Sequence, residues 1–335
     1  MTERPRVAGA LVESPLQLLC TIEAHAAGLG GHTTRVHVRD DVPTLAQARN
    51  ALERAALPDG LHTDVRPVGH EMWSWHRNRI VGEMFSGIVQ TALLTRPVTS
   101  VTMVDDGLAA LDLDRILTSP TGAFVRSAVP AGAARRALGR RTAARLRALA
   151  ERGGLTLFTA LPLAAEALAR LSGAGVRVVR NEFDWYTSQP LESAPAEPTV
   201  VVGSGLVGAG FVDTDPYLEW VLSLAAQGPV LYVPYRRDEP LVRRVLRTTP
   251  GVTIADPGAV LELRLSGMRS GQRVLSLPTT SSVLLTSMLG RRGVAVDVRP
   301  VPDDWWTEGV PDQVRKDAAA LADLAGDARA ATDRP

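Results

Sequence analysis

The chain has 335 residues, 45% of them hydrophobic, a formal net charge of +1 and a single cysteine. That length and core content suit two ordinary domains or one large α/β unit and exclude global disorder. The near-balanced charge argues against a dedicated nucleic-acid binder, and Cys20 alone can form neither an intrachain disulfide nor a cysteine-built zinc site.

Taken in chain order, short β-branched apolar runs alternate with stretches of helical spacing. Strands are expected over 7–12, 34–38, 98–104, 155–159, 176–179, 199–202, 230–233, 252–254, 273–275 and 294–298. Helices are expected over 15–27, 45–56, 78–95, 134–151, 163–173, 216–226 and 281–289. The strand runs are continuous rather than alternating, as in parallel strands covered on both faces, so the pattern predicts a doubly wound α/β architecture. A segment rich in Pro, Ala and Glu, 189–198, has no periodicity and reads as a linker. The expected plan is a Rossmann-like domain over 1–190, a linker over 191–198, a second over 199–325 and a polar, frayed tail over 326–335. Parallel sheets of two such domains would open their strand ends into a cleft between them, where sheets of this kind bind ligands.

The first apolar run stops at Glu13, too short for a signal peptide, and no run reaches the length that spans a bilayer. The expectation is a cytoplasmic protein. An arginine-rich stretch over 135–152 reads as a solvated helix face or as a surface for peripheral membrane or polyanion contact. Cys20 lies in an apolar run and reads as a small core residue.

Several strand ends carry polar residues. After the run ending at Val104 come Asp105, Asp106 and Gly107. Two adjacent carboxylates there are costly unless solvated, bonded or used; their repulsion can raise one pKa, which suits a general base, while a plain turn with an Asp cap is the alternative. Thr279, Thr280, Ser281 and Ser282 precede an apolar helix. They could cap it, or together with its free N–H groups hold a phosphate. Tyr235, Arg236 and Arg237 follow another buried strand and form either a solvated turn or an anion-binding one.

Gly203, Gly205 and Gly208 match G-x-G-x-x-G after a strand. A dinucleotide site would need an unbroken helix from there and an acid at the end of the next strand, but Pro216 interrupts the helix, and Tyr235 with the arginines ends that strand. The alternative is a flexible loop, with the real helix opening at Asp215 or Pro216. An NAD-dependent oxidoreductase stays open as a rival on this loop. Ser14 and Gln17 open the first helix at a strand end. Trp75 and His76 belong to a segment of aromatic and titratable residues that could stack on an acceptor sugar or form a half-buried loop. All 6 histidines lie in the first 76 residues, and their spacing fits no zinc motif.

In this order the motifs resemble the bacterial sialyltransferases of glycosyltransferase family 52 and the related capsule polysialyltransferases. Ser14–Pro15–Leu16–Gln17 is similar to the family's opening motif. Asp105–Asp106–Gly107 resembles its acid-acid-glycine motif, Val202–Gly203–Ser204–Gly205–Leu206 with Tyr217 the start of its second domain, and Thr280–Ser281–Ser282 its serine-rich phosphate motif.

The resemblance implies a GT-B fold, a CMP-activated sialic acid or related donor as substrate, and metal-independent inverting transfer to a glycan or other hydroxyl, with no resident cofactor. It also implies roles: Asp106, with Asp105 beside it, as base; Ser281 and Ser282, with Thr280, on the donor phosphate. Gly203 and Ser204 would lie at the donor, and Ser14, Gln17, Trp75 and His76 at the acceptor or cleft. One position departs. Where the family has a histidine followed by proline or arginine, this chain has Tyr235–Arg236. A phenol can donate a hydrogen bond to phosphate but is a poorer acid than imidazole near neutrality. A catalytically impaired member acting as a binding module is therefore a second reading.

Overall fold

The computed structural model describes residues 6–67, 75–105, 113–125, 131–189, 194–235, 238–255 and 261–332. The chain divides into two compact units, Met1–Pro190 and Leu191–Pro335.

Unit 1 holds β1 (Val7–Val12), α1 (Pro15–Ala26), β2 (Thr33–Arg39), α2 (Pro43–Arg54), β3 (Leu61–Arg66), β4 (Asn78–Val81) and α3 (Gly87–Thr95). It continues through β5 (Ser100–Val104), α4 (Leu113–Thr118), α5 (Ala133–Ala150), β6 (Leu155–Thr159), α6 (Ala165–Gly173), β7 (Arg177–Arg180) and α7 (Asp184–Ser188). Among the described residues its strands form one sheet in the order β3-β2-β1-β4-β5-β6-β7, and every pairing is parallel. The chain runs outward from β1 to β3, then returns to build β4 to β7 on the other side. The order therefore reverses between β1 and β4, which makes that crevice the switch point.

Unit 2 repeats the plan. It contains β8 (Thr199–Val202), α8 (Gly205–Gly208), α9 (Thr214–Ala225), β9 (Val230–Val233), α10 (Pro240–Arg247) and β10 (Val252–Ile254). After these come α11 (Leu261–Arg264), β11 (Arg273–Ser276), α12 (Thr280–Gly290), β12 (Ala295–Val298) and α13 (Asp312–Thr332). The order is β10-β9-β8-β11-β12, again all parallel, with the switch point between β8 and β11. Alternate residues of β8 enter different cores. Val201 joins the layer of Tyr217, Val221 and Leu246, while Val200 and Val202 join that of Leu285 and Leu289. A strand with no solvated face has no reason to alternate, which is why its sequence is all Val after Thr199. Each such side chain contributes about 1.5–3 kcal/mol of burial.

The fold class expected, α/β with two Rossmann-like parallel-sheet domains, is what both units have. The structure differs in detail. Residues 78–95, expected as one helix, are β4 and then α3. Arg79 disguises the strand: its side chain is buried in the sheet, where Nε donates to the carbonyl of His76 (3.0 Å) and Nη2 to that of Pro97 (3.3 Å), and burial lowers its pKa to about 10. β3 was not expected, because an edge strand carrying His62, Asp64 and Arg66 does not read as apolar. The residues after 325, expected as a frayed tail, continue α13 to Thr332, with Ala318, Leu321, Ala325 and Ala328 on its buried stripe. Among the described residues no helix is long and apolar enough to cross a membrane.

Candidate functional site

At the unit 1 switch point, β1 gives way to Ser14, whose Oγ accepts the N–H of Gln17 (3.2 Å) and caps α1, with Pro15 at the first helical position. Gln17 is 1% exposed, and its Oε1 accepts the N–H of Glu13 at 2.7 Å. Its side chain lies over Gly82, at the end of β4, where an added Cβ would come within 2.3 Å of Gln17 Cγ. Only glycine admits that approach. Ser14 and Gln17 thus shape the crevice between β1 and β4. Gln17, buried and bonded, does so as a packing group.

Asp105 directly follows β5 and is fully buried. Its carboxylate accepts the Thr159 hydroxyl and the Ala160 N–H, both at 2.6 Å, so it ties the end of β5 to the end of β6. This fixes the strand end that leads into Asp106, which lies outside the described residues. Beside the same sheet, Trp75 is 65% exposed and His76 half-buried. Burial lowers the His76 pKa, with Arg35 and Arg79 adding to the effect. No motif in the sequence pointed to His37 as its neighbour. That ring is buried in β2, neither nitrogen has a hydrogen-bond partner among the described residues, and desolvation lowers its pKa against the opposing pull of Asp64. Among the described residues no group of three or more His, Cys, Asp or Glu could hold a metal.

In unit 2 the switch point brings together three segments that are far apart in sequence. Val202 of β8 pairs with Ser276 of β11 and with Val233 of β9, so the loops after these strands leave the sheet side by side. Gly203 N–H donates to Val233 O at 2.8 Å. A Cβ on Gly203 would lie 2.7 Å from Tyr235 N and 2.9 Å from the Tyr232 hydroxyl; one on Gly205 would lie 3.0 Å from the Tyr235 ring. The glycines let the β8 loop and the Tyr235 turn touch. Tyr235 itself is 38% exposed. Arg236 and Arg237 lie outside the described residues.

Ser204 is buried and its hydroxyl accepts the Leu206 N–H (3.1 Å), capping the single turn α8. The glycine motif therefore does not open a long helix. The chain is instead pinned to the segment around Trp305: Asp213 N–H donates to Trp305 O (2.8 Å) and Val212 bridges Trp306. The next helix, α9, is capped by Asp213 rather than by Asp215, because the Asp213 carboxylate already holds the Asp215 N–H at 3.1 Å.

On the neighbouring strand end, Thr279 is the one of the four hydroxyl residues that caps α12. Thr279 Oγ1 accepts the Ser282 N–H (3.1 Å) and Ser282 Oγ accepts the Thr279 N–H (3.0 Å), a reciprocal capping box. The Ser282 hydroxyl also donates to Thr279 O (2.6 Å) and is 1% exposed, so it belongs to the cap. Thr280 and Ser281 are half-buried, and among the described residues nothing accepts their N–H groups. Those donors lie in the first turn of an 11-residue helix whose dipole favours an anion.

No family model matches the chain, and no curated protein matches it in sequence. Among solved structures it is similar to a UDP-glucosyltransferase from Polygonum tinctorium, at 12% identity over 99% of this chain and 95% of that one, with a TM-score of 0.47. A UDP-glucose:anthocyanidin 3-O-glucosyltransferase in complex with UDP overlaps at 12% identity, 98% and 97% coverage and a TM-score of 0.43. A variant of the Thermobaculum terrenum O-GlcNAc transferase overlaps at 15% identity over 99% of this chain and 60% of that one, with a TM-score of 0.39. Overlaps this loose leave donor and acceptor to be argued from the residues themselves.

Proposed function

We propose that the chain is a GT-B glycosyltransferase: metal-independent, inverting, and taking a sugar from a CMP-activated donor, a sialic acid or related nonulosonic acid, to the hydroxyl of a glycan or small molecule. The observation that carries the reading is the switch-point edge of unit 2. There a close-packed glycine loop, Tyr235 and the unaccepted N–H groups of Thr280 and Ser281 converge where an open parallel sheet takes its ligand. This arrangement suits a nucleotide phosphate. The short, interrupted α8 is unlike the continuous helix of a dinucleotide site.

In the reaction the acceptor oxygen bonds the anomeric carbon as the bond from that carbon to the CMP phosphate oxygen breaks. The acceptor proton passes to a carboxylate, and the charge that develops on the phosphate is met by backbone donors. Asp106 takes the base role on the strength of the sequence motif. Asp105, buried and doubly bonded, anchors the strand end before it. Thr280 and Ser281 face the phosphate, with Ser282 keeping the helix tip in shape. The second reading, an impaired member that binds nucleotide sugar without turning it over, is favoured by Tyr235 at the histidine position, its ring packed on Gly205.

Asp106→Asn decides between catalysis and binding. Transfer from CMP-activated sugar, followed by released CMP, is expected to fall about 10²–10⁴-fold with the unfolding midpoint unchanged. Turnover equal to wild type would remove the base assignment. Wild-type protein that binds CMP but turns over only when Tyr235→His is introduced would favour the impaired member.

A further inference from the structure

A chain of three polar side chains runs beneath the glycine loop of unit 2. The Tyr217 hydroxyl, from α9, donates to the Tyr232 hydroxyl at 3.4 Å. The Tyr232 hydroxyl, from β9, in turn donates to both carboxylate oxygens of Asp238, at 3.0 Å each. Both phenols are fully buried, and burial raises their pKa values far above the ordinary range, so both remain protonated donors. Tyr232 lies where only glycine at 203 leaves it room. Asp238 closes the loop on the other side: its N–H donates to Tyr235 O at 3.1 Å, so it belongs to the turn that presents Tyr235. A solvated turn would have no use for a half-buried carboxylate held by a buried phenol.

We propose that Tyr217, Tyr232 and Asp238 form a positioning device for the nucleotide site of unit 2, in which the Asp238 carboxylate, through the Tyr232 hydroxyl, holds the Tyr235 turn against the Gly203–Gly208 loop. The inference rests on that edge being the nucleotide-binding edge. A charge-assisted hydrogen bond is roughly twice as strong as a neutral one, so the device is tight when Asp238 is ionised and slack when it is protonated. Among the described residues the charged or titratable groups facing Asp238 are Tyr232 from β9, with Tyr217 behind it, and Glu239 and Arg243 at the start of α10. Burial is the largest influence and raises the Asp238 pKa to about 6; the Tyr232 bond and Arg243 oppose it, and Glu239 reinforces it. Folding therefore favours the protonated form, and removing the charge does not cost stability. Binding and stability are expected to move in opposite directions, which a purely structural role would not produce.

The test is calorimetric titration of the full chain with the methyl ester of CMP, a phosphodiester whose charge does not change between pH 5.5 and 8. Wild type is expected to bind about threefold more tightly at pH 7.5 than at pH 5.5, because a carboxyl titrating at about 6 is still roughly one quarter ionised at the lower pH. Asp238→Asn should show the weak affinity at both pH values, with an unfolding midpoint equal to wild type or higher. Tyr232→Phe, which removes the link but keeps the ring, should lose affinity to a similar extent and flatten the profile. Wild type that binds, with both variants matching it in affinity and pH profile, would overturn this proposal alone. No binding by wild type at any pH would overturn the nucleotide reading and this proposal with it.

Discussion

At the strand ends of unit 1, Ser14 and Gln17 at the switch point and Asp105 after β5 direct their polar atoms at neighbouring backbone and side chains. At the same place in unit 2, the N–H groups of Thr280 and Ser281 have no acceptor among the described residues, and Tyr235 is partly open to solvent. One topology thus yields a closed edge and an open one. The difference shows that a polar residue at a strand end is not by itself a binding group. What marks a site is the donor or acceptor left over after the local structure has taken what it needs.

The largest effect expected from breaking the closed edge is that of Asp105→Ala. It strands a buried hydroxyl and a buried N–H at the ends of β5 and β6, and equilibrium unfolding in urea should show a loss of about 2–4 kcal/mol. An unchanged midpoint would mean that the Asp105 bonds are not structural. Asp106→Asn one residue on should leave that measurement alone, which separates anchor from base.

A smaller effect sharpens the comparison through a second pair of acids. Glu23 of α1 accepts the N–H groups of Tyr186 (2.7 Å) and Trp185 (3.2 Å) at the start of α7, and the Asp238 carboxylate accepts the Tyr232 hydroxyl. Burial raises the Glu23 pKa to about 7 despite those N–H bonds, with Asp184 reinforcing the rise. Folding therefore favours protonated Glu23: the stability it contributes is complete below about pH 4.5 and is lost as pH rises through about 7. Wild type should lose on the order of 1–3 kcal/mol of stability between pH 5 and pH 8 from this group, while Glu23→Gln flattens that share of the slope. Parallel curves for the two proteins would contradict the burial argument.

Much of the fold was legible because parallel strands covered on both faces must be apolar throughout: 7–12, 155–159, 199–202 and 230–233 were readable to the residue, as was the short edge strand 252–254 from its β-branched run. β3 and β4 were not. One is an edge strand with polar side chains, and the other hides Arg79 among backbone carbonyls, so a helical period seemed to run through 78–95. At the candidate site, the glycine loop, Tyr235 and the hydroxyl run were visible because each is a local motif at a strand end. Sequence could not say which hydroxyls were free. Thr279 and Ser282 consume each other in a capping box, whereas Thr280 and Ser281 do not take part in it. The Tyr217–Tyr232–Asp238 chain was invisible for a different reason: it joins α9, β9 and a turn, and no periodicity links residues brought together only by tertiary packing.

If the first turn of α12 receives a nucleotide phosphate on the N–H groups of Thr280 and Ser281, which have no acceptor among the described residues, Thr280→Pro should weaken that binding. Proline is tolerated at the first helical position, and Thr279, with φ −147° and ψ 161°, already has the extended backbone that must precede it, so the helix should survive while one donor disappears. Calorimetric titration with CMP should show binding by wild type and at least about tenfold weaker binding by the variant, with matching unfolding curves. Equal affinities in the two proteins, or no CMP binding by wild type, would mean that this helix start does not hold a nucleotide phosphate.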